Sequence, residues 1–242
     1  MVTRTRQGKP RLGRPPSTDS ADTRRRLLDI ARVAFAERGF DAATNRNLGM
    51  EAGITAGAIY HYFGSKLDLY EAVHQDVQGR VYTRLRDAVE PHATFRAQID
   101  AILDCSHQLN KEDPSLAQFL GSMRVDMVRN PELGRAMREP SLSGQRFFDV
   151  VVEHGVATGE IAASDRARVA ALVRTLLVGL TDGVSANVTA HSTAIEAIKL
   201  LLDGALIHAP KKVRTAATSN GRTAVPRAPR GSSTNNLSLI HI

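Results

Sequence analysis

The sequence predicts an all-α protein. Apolar residues recur every three or four positions from about Thr23 to about Ile207, which is the period of helices with one buried face. Prolines and glycines interrupt this pattern at intervals typical of helix ends. No run of alternating β-branched residues is long enough to indicate a sheet. At 242 residues and 42% apolar composition, the chain is large enough to bury a core.

The first predicted helix begins near Thr23 and ends at Gly39, with Leu28, Ala31 and Phe35 on its inner face. Two short helices follow within residues 44–62. Later helices are predicted from the breaks at Pro91, Pro114, Pro131, Pro140 and Gly159. Their ranges are 66–90, 92–110, 114–129, 131–138, 142–157, 165–188 and 191–207.

Both ends of the chain are predicted to be disordered and basic. In residues 1–20 arginines alternate with glycine and proline, and residues 210–242 hold almost no apolar side chain before the last six. The net charge is +6 over residues 1–66, with 12 Lys and Arg against 6 Asp and Glu. Residues 67–209 carry −5, and residues 210–242 carry +6. This asymmetry favours a polyanionic partner for the N-terminal part, although plain solvated tails are also basic.

Several classes of protein are disfavoured. The longest apolar run is far shorter than the roughly 20 residues of a membrane-spanning helix, and no secretory signal is recognisable, so a cytoplasmic protein is expected. A single cysteine, Cys105, excludes an internal disulfide. The eight histidines are scattered, and no nucleophile motif or glycine-rich phosphate loop occurs. We therefore expect no enzyme, no metal and no cofactor.

Residues 44–63 have the pattern of two short helices joined by a tight turn. Leu48 and Ala52 lie one helical turn apart and form an inner face. Gly53 stands where the chain must turn sharply, which glycine does through a left-handed conformation. Thr55 is a typical N-cap for the second helix. The pattern predicts a helix-turn-helix.

The second of these helices is predicted to have two unlike faces. Ile59 and Phe63 share the inward face, and Gly57, Tyr60 and His61 share the opposite one. Hydroxyl and ring donors on an outward face suit phosphate oxygens, and small residues let a helix enter the major groove closely. An ordinary helical hairpin with the tyrosines in its core is the alternative.

Three arginines strengthen the first interpretation. Arg24, Arg25 and Arg26 are predicted in the first turn of the first helix, where the helix dipole disfavours cations. External phosphates would offset that cost.

With residues 64–69 added, this segment closely resembles the DNA-binding domain of the TetR family (TetR/AcrR-like regulators). The resemblance covers about residues 23–82. It is carried by Thr44, Leu48, Ala52-Gly53-Ile54-Thr55, Gly57, Ile59-Tyr60, Tyr62-Phe63 and Ser65-Lys66. Gly49 departs from the family pattern, which usually has alanine there. Because glycine inside a helix costs about 1 kcal/mol, we expect a softer helix.

The resemblance implies an N-terminal three-helix helix-turn-helix DNA-binding domain at residues 21–82. It also implies a larger helical domain for effector binding and dimerisation at residues 83–209. By position it assigns phosphate contacts to Thr44, Thr55, Tyr60 and Lys66. Base reading would fall to Ala56 and Gly57, with Arg46 as a further candidate. His61 stands where many relatives have tyrosine or asparagine and is either a phosphate donor or a plain surface residue.

The last two predicted helices resemble the pair through which members of this family form homodimers. Two half-sites on DNA require two recognition helices, so a homodimer is expected; a purely internal core is the alternative. Residues 67–158 are expected to enclose an effector pocket. Its candidate lining residues, each also suited to an ordinary core, are Tyr82, Phe95, Cys105, His107, Phe119, Met123, Met127, Phe147 and Phe148.

These expectations combine into one function. The chain is predicted to be a sequence-specific transcriptional regulator, a homodimeric repressor released from a palindromic double-stranded DNA operator by an unidentified small-molecule effector. The rival prediction is an architectural DNA binder that has no effector. It would show little sequence preference and a steep salt dependence.

Overall fold

The computed structural model of the chain describes residues 18–182 and 187–206. The predicted basic arm, except for residues 18–20, and the predicted tail at 210–242 lie outside these ranges. The described residues form helices and no strand, which confirms the all-α prediction. No helix among them is long and apolar enough to cross a membrane. The helices are α1 Thr18–Ala42, α2 Asn45–Ala52, α3 Ala56–Ile59, α4 Lys66–Val89, α5 Phe95–Glu112, α6 Pro114–Arg129, α7 Pro131–Ala136, α8 Arg138–Ala157, α9 Arg166–Asp182 and α10 Val188–Leu202.

Most of these helices begin at a side chain that caps the first turn. The hydroxyl oxygens of Thr44, Thr55, Ser65 and Thr94 each accept a hydrogen bond from the backbone N–H three residues later. Helices α6 and α7 each begin with a proline, whose missing N–H costs nothing in a first turn. Local sequence therefore determines where these helices start.

Helix α1 departs from the prediction at its beginning. It begins at Thr18, five residues before the predicted start, so Arg24, Arg25 and Arg26 do not lie in its first turn. The argument from the helix dipole was therefore wrong, since that effect fades beyond the first turn. At the other end, Gly39 adopts φ 77° and interrupts the regular helix as predicted.

The break predicted at Pro140 was also wrong. Helix α8 begins at Arg138, so Pro140 lies in its first turn. The backbone N–H that proline lacks would have no intrahelical acceptor there, so the proline does not interrupt the helix. The described part of α9 runs from Arg166 to Asp182, and residues 183–186 of its predicted range lie outside the described residues. Val188, the last residue of that range, is the first residue of α10. A short 3-10 helix, Ala163–Asp165, leads into it.

Two hydrophobic clusters fill the interior. We call the first the N-terminal cluster; its buried members come from α1 to α4, α6 and the α7 region and include Leu27, Phe35, Leu48, Ile59, Leu69, Tyr70, Phe119, Met123 and Leu133. We call the second the C-terminal cluster; it includes Leu85, Ile102, Leu103, Val151, Val152, Val173, Leu180 and Ile195. Helix α4 contributes to both, so the predicted division at residues 82 and 83 falls inside one continuous helix.

Candidate nucleic-acid interface and the cavity behind it

The turn between α2 and α3 has the predicted geometry. Leu48 is fully buried and Ala52 is 2% exposed, so both belong to the inner face of α2. Gly53 follows with φ 69°, in the left-handed region that favours glycine. The backbone N–H of Ile54 donates to the carbonyl of Gly49 at 2.9 Å, which closes the turn.

Helix α3 presents two unlike faces. Ile59 is fully buried and Phe63 is 5% exposed, so both anchor the segment from behind. Gly57, Tyr60 and His61 lie on the exposed side, and Tyr60 is 57% exposed. The predicted division of faces is confirmed. Of the two tyrosines that the alternative placed in a core, Tyr60 is exposed, whereas Tyr62 is half-buried and packs against the N-terminal cluster.

The threonines at the two caps keep a hydrogen-bonding proton. The Oγ1 of Thr44 accepts from Asn47 N at 3.2 Å, and that of Thr55 accepts from Ala58 N at 3.1 Å. A hydroxyl that accepts in this way can still donate its own proton. Because both residues are exposed, that proton is available to an external acceptor.

Lys66 has partners within the protein. Its Nζ donates to the carbonyl of Phe40 at 2.7 Å and lies 4.3 Å from the centroid of that ring. A second contact reaches the carbonyl of Asp41 at 3.4 Å. Partial burial lowers the pKa of Lys66. The lysine therefore fastens the start of α4 to the end of α1, and one of its three N–H groups remains for another acceptor.

Gly49 has a packing role that the sequence reasoning missed. This residue is buried where α2 meets α3, and a Cβ placed on it would lie 2.9 Å from the carbonyl oxygen of Ile54. It would also lie 3.1 Å from the backbone nitrogen of Ala56. Both neighbours are backbone atoms, so they cannot rotate away. The glycine lets the turn approach α2 more closely than alanine would.

The remaining cationic candidates are exposed. Arg46 lies on the exposed side of α2, and Arg24, Arg25 and Arg26 lie on the exposed side of α1. The guanidinium of Arg24 sits 4.9 Å from the ring centroid of Phe63. This cation–π contact joins α1 to the end of the helix-turn-helix.

Behind this unit lies a cavity of about 340 Å³ between α4, α5, α6, α8, α9 and α10. Four of the predicted lining residues do line it: Tyr82, Met123, Met127 and Phe148. Phe147 lies instead beside a neighbouring groove. The lining continues past residue 158, the predicted limit of the pocket, because α9 and His191 of α10 also face the cavity.

The other predicted lining residues lie outside that lining. Phe119 is fully buried in the N-terminal cluster, and Phe95 and Cys105 pack against the C-terminal cluster. Burial raises the pKa of the Cys105 thiol. The ring of His107 stacks on that of His191, with 3.3 Å between their Nδ1 atoms. Apolar periodicity predicts that a residue is buried, but it does not predict whether the side chain lines the cavity or packs within a hydrophobic cluster.

Sequence reasoning missed the polar part of the lining. This part consists of Gln78, Ser106, Asn110, Arg124, Ser141, Arg174, Thr181 and His191. No motif marks these residues, because they come from different helices that only the fold brings together. Isolated polar residues inside amphipathic helices were the single available signal.

Helix α6 connects the cavity to the helix-turn-helix unit. Met123 and Met127 face the cavity, while Asp126 on the same helix faces α1 and α4. Its Oδ2 accepts from the backbone N–H of Phe40 at 2.9 Å and from the Tyr70 hydroxyl at 3.2 Å. Burial raises the pKa of Asp126, and these two hydrogen bonds oppose that rise. A displacement of α6 would therefore act directly on the end of α1.

A second polar link joins the start of α6 to α1. Arg32 is only 6% exposed, and its Nε donates to Ser115 Oγ at 2.9 Å. Its other nitrogens lie 2.8 Å from carboxylate oxygens of Asp29 and Asp113. A buried guanidinium needs such partners because an unpaired buried charge is strongly destabilising. The link holds α1 and α6 in one arrangement.

Comparison with known proteins identifies the family. Residues 27–73 match the model described as bacterial regulatory proteins, tetR family. The chain is 26% identical over 180 residues to the HTH-type transcriptional regulator UidR of Escherichia coli K12, covering 74% of this chain and 88% of that protein. It is 33% identical over 148 residues to the HTH-type transcriptional repressor KstR2 of Rhodococcus jostii, covering 60% of this chain and 72% of the repressor.

A solved structure extends this likeness to most of the described fold. The transcriptional regulator FadR from Bacillus subtilis, in complex with stearoyl-CoA, superposes with a TM-score of 0.62 at 21% identity. The match covers 76% of this chain and 99% of that one. The relatives named here are regulators of transcription, and the match to their family begins in α1 and ends in α4. The chain belongs to the TetR family of bacterial transcriptional regulators.

Proposed function

We propose that this protein is a homodimeric repressor that binds a palindromic operator and leaves it when a small-molecule effector binds the body. The observation that carries the proposal is the outward face of α3, where Gly57, Tyr60 and His61 are exposed while Ile59 and Phe63 are buried. Such a helix docks in the major groove of duplex DNA. We further propose that the protein acts in the cytoplasm, where its operator would lie.

Each exposed residue has a role that suits its chemistry. The hydroxyls of Thr44, Thr55 and Tyr60 donate to phosphate oxygens and so fix the register of the protein on the duplex. His61 serves as a further phosphate donor, and Lys66 uses its remaining N–H in the same way. The small residues Ala56 and Gly57, together with Arg46, lie closest to the base edges.

The exposed apolar residues of the last two helices support the homodimer. Leu172 is 49% exposed and Val178 is 39% exposed on α9, and Leu200 and Leu201 are similarly exposed on α10. The opposite face of the same pair is buried through Val173, Leu180 and Ile195. We assign the exposed face to the same face of a second copy, because two operator half-sites require two-fold symmetry.

The cavity supports release by an effector. Helix α4 carries the cavity-lining residues Gln78 and Tyr82 and begins at the helix-turn-helix, so a ligand that displaces α4 changes the spacing of the two α3 helices. Helix α6 acts in parallel through Asp126. A complete switch requires the ligand to favour the released state by about 5.5 kcal/mol.

Selection of random-sequence DNA by the purified full chain tests the proposal. A repressor of this kind enriches one palindrome at physiological salt. Enrichment of no sequence, with steep salt dependence, would instead identify an architectural DNA binder. The selected DNA also serves as the probe in the variant measurements.

Tyr60→Ala tests the recognition face. We expect roughly tenfold weaker binding to the selected palindrome and a similar loss on other sequences, because a phosphate contact carries no base information. Tyr60→Phe is the matched control for the ring. It loses the same affinity if the hydroxyl makes the contact. Unchanged binding of Tyr60→Ala in a salt titration would remove this residue from the interface.

Leu172→Glu tests the dimer interface. A charge at the centre of an apolar interface is costly, so we expect the variant to sediment as a monomer and to lose most of its operator affinity. Val128→Glu is the matched control, because Val128 is 84% exposed and lies on α6. If the two variants sediment alike as dimers, the face of α9 is not the interface.

A further inference from the structure

Among the described residues that line the cavity, Asn110 is the one whose buried side-chain polar atoms have no hydrogen-bond partner. Asn110 on α5 is 2% exposed and lines the cavity, yet neither its Nδ2 nor its Oδ1 has a hydrogen-bond partner among the described residues. A buried amide left unpaired on both sides is strongly disfavoured, and such groups are rare in folded proteins. Both amide atoms are buried, so an occupant of the cavity would remove that penalty once the Asn110 side chain turns toward it.

The chemistry of the amide defines what would pair with it. Asn110 offers two N–H donors on one atom and an acceptor oxygen on the other. A ligand satisfies both atoms at once only if it presents an acceptor and a donor side by side. A carboxamide or lactam edge does so, whereas a carboxylate or ketone only accepts and leaves Oδ1 unpaired.

The rest of the lining constrains the charge and size of that ligand. No aspartate or glutamate occurs among the described residues that line the cavity, so a cationic ligand would have no counter-charge. Arg124 donates to Thr181 Oγ1 at 2.7 Å, and Arg174 donates to Asp149 at 3.1 Å, so both guanidinium groups already have protein partners. Most other lining residues are leucine, valine, methionine or phenylalanine. A volume of about 340 Å³ is near the lower end of small-molecule sites, which span roughly 300–1,000 Å³.

We infer that this cavity binds a compact, uncharged and mainly apolar molecule carrying a carboxamide or lactam edge, which Asn110 holds by a pair of hydrogen bonds. The inference rests on the proposed function in one respect: we take the molecule that binds this cavity to be the effector of the repressor. Binding itself requires no DNA and is measured separately.

Calorimetry on the purified full chain tests the inference with four probes of matched shape. Biphenyl-4-carboxamide offers a donor and an acceptor, 4-acetylbiphenyl only an acceptor, biphenyl-4-carboxylate a charged acceptor, and biphenyl neither. We expect the carboxamide to bind at least roughly tenfold more tightly than each of the other three, because only it satisfies both atoms of Asn110. Equal affinity for the carboxamide and the ketone would overturn the inference, since water would then suffice for Asn110. Tightest binding of the carboxylate, or no binding of any probe, would overturn it as well.

Asn110→Leu assigns the preference to this residue. The variant replaces a buried unpaired amide by an apolar side chain of similar size, so we expect a higher melting temperature without ligand. The preference for the carboxamide over 4-acetylbiphenyl should disappear while biphenyl binds at least as tightly as before. A preference that survives in Asn110→Leu would contradict the role of Asn110. The wild-type probe series decides the matter even if the variant does not fold.

Fluorescence anisotropy with the selected palindrome separates this inference from the proposed function. Carboxamide binding that releases the DNA supports both. Carboxamide binding without release supports the ligand site and contradicts the proposed switch. DNA release by a compound that does not compete with the carboxamide overturns the assignment of this cavity to the effector.

Discussion

Two parts of the interior differ in how completely they are filled: the surroundings of Tyr70 in the N-terminal cluster, and the junction between the N-terminal and C-terminal clusters. In the N-terminal cluster the ring of Tyr70 lies 4.8 Å from that of Phe35 and 5.1 Å from that of Phe119, and its hydroxyl donates to Asp126. The two clusters meet at a cavity of about 340 Å³, which is lined by Leu109, Leu116 and Met123 of the first and by Leu85 and Leu180 of the second. Asn110, whose amide is unpaired, also lines it. Packing around Tyr70 is thus close and its buried hydroxyl is paired, whereas the junction of the two clusters leaves space and an unmet hydrogen-bonding group.

This difference matches two separate tasks. Reading a DNA groove requires side chains held in one place, and a closely packed core provides that rigidity. Responding to a ligand requires an element with two arrangements of similar free energy. Helix α4 contributes to both clusters, and α6, which belongs to the first, also lines the cavity, so in the proposed switch a change around the cavity would reach α1 and the helix-turn-helix.

Paired phenylalanine truncations are expected to have the largest effect. Phe119→Ala should lower the free energy of unfolding by about 3–5 kcal/mol, because Phe119 is fully buried against the ring of Tyr70 in a closely packed cluster that cannot fill the gap. Phe148→Ala should cost only about 1–2 kcal/mol, because Phe148 is half-buried and already borders the cavity. Urea unfolding at one protein concentration measures both values. Equal losses of unfolding free energy in the two variants would contradict the contrast between the close packing around Tyr70 and the looser packing beside the cavity.

A pH dependence is expected to have the next largest effect. His74 is 1% exposed within α4, and burial lowers its pKa to about 4 from an ordinary value near 6.5. Between these values the unfolded chain binds more protons than the folded one, so stability rises with pH across this window and is lost as the pH falls through it. We expect His74 to account for up to roughly 3 kcal/mol of the loss between pH 6.5 and pH 4.

His74→Gln isolates this contribution. Glutamine keeps an amide near Gln78, whose Nε2 lies 3.1 Å from His74 Nε2, but it does not titrate. The raised pKa of Asp126 acts in the opposite direction in both proteins, so it cancels in the difference between them. Chemical unfolding at a series of pH values should give a shallower acid loss for the variant. Parallel curves would mean that the pKa of His74 is the same in the folded and the unfolded state, which would contradict this prediction.

Two glycine substitutions are expected to have the smallest effects, of opposite sign. Gly49→Ala should lower the free energy of unfolding by about 1 kcal/mol, because the clash with the Ile54 carbonyl outweighs the gain in helix propensity. Gly57→Ala should raise it slightly, since the space beside Gly57 is open. Operator affinity should fall in both variants, for Gly49→Ala by a shift of α3 and for Gly57→Ala by a less close approach to DNA. A stabilised Gly49→Ala would show that α2 and α3 have room to separate.

The helices were predictable where local chemistry decides them. Thr44, Thr55 and Pro114 begin helices because caps and prolines act within a single turn, and Gly53 makes its bend through its own backbone freedom. The division of α3 into Ile59 on the buried side and Tyr60 on the exposed side also follows from helical spacing alone. Pro140 misled the prediction because one residue type both ends helices and fits their first turn.

The amino-acid sequence by itself determined the all-α class, the helix-turn-helix and the outward face of α3. Each of these depends on residues within a few positions of one another. Tertiary structure alone decided which polar residues line the cavity and that Asp126 joins α6 to α1. Those features bring together side chains far apart in sequence, and the helical period records only that a residue is buried, not what it is buried against.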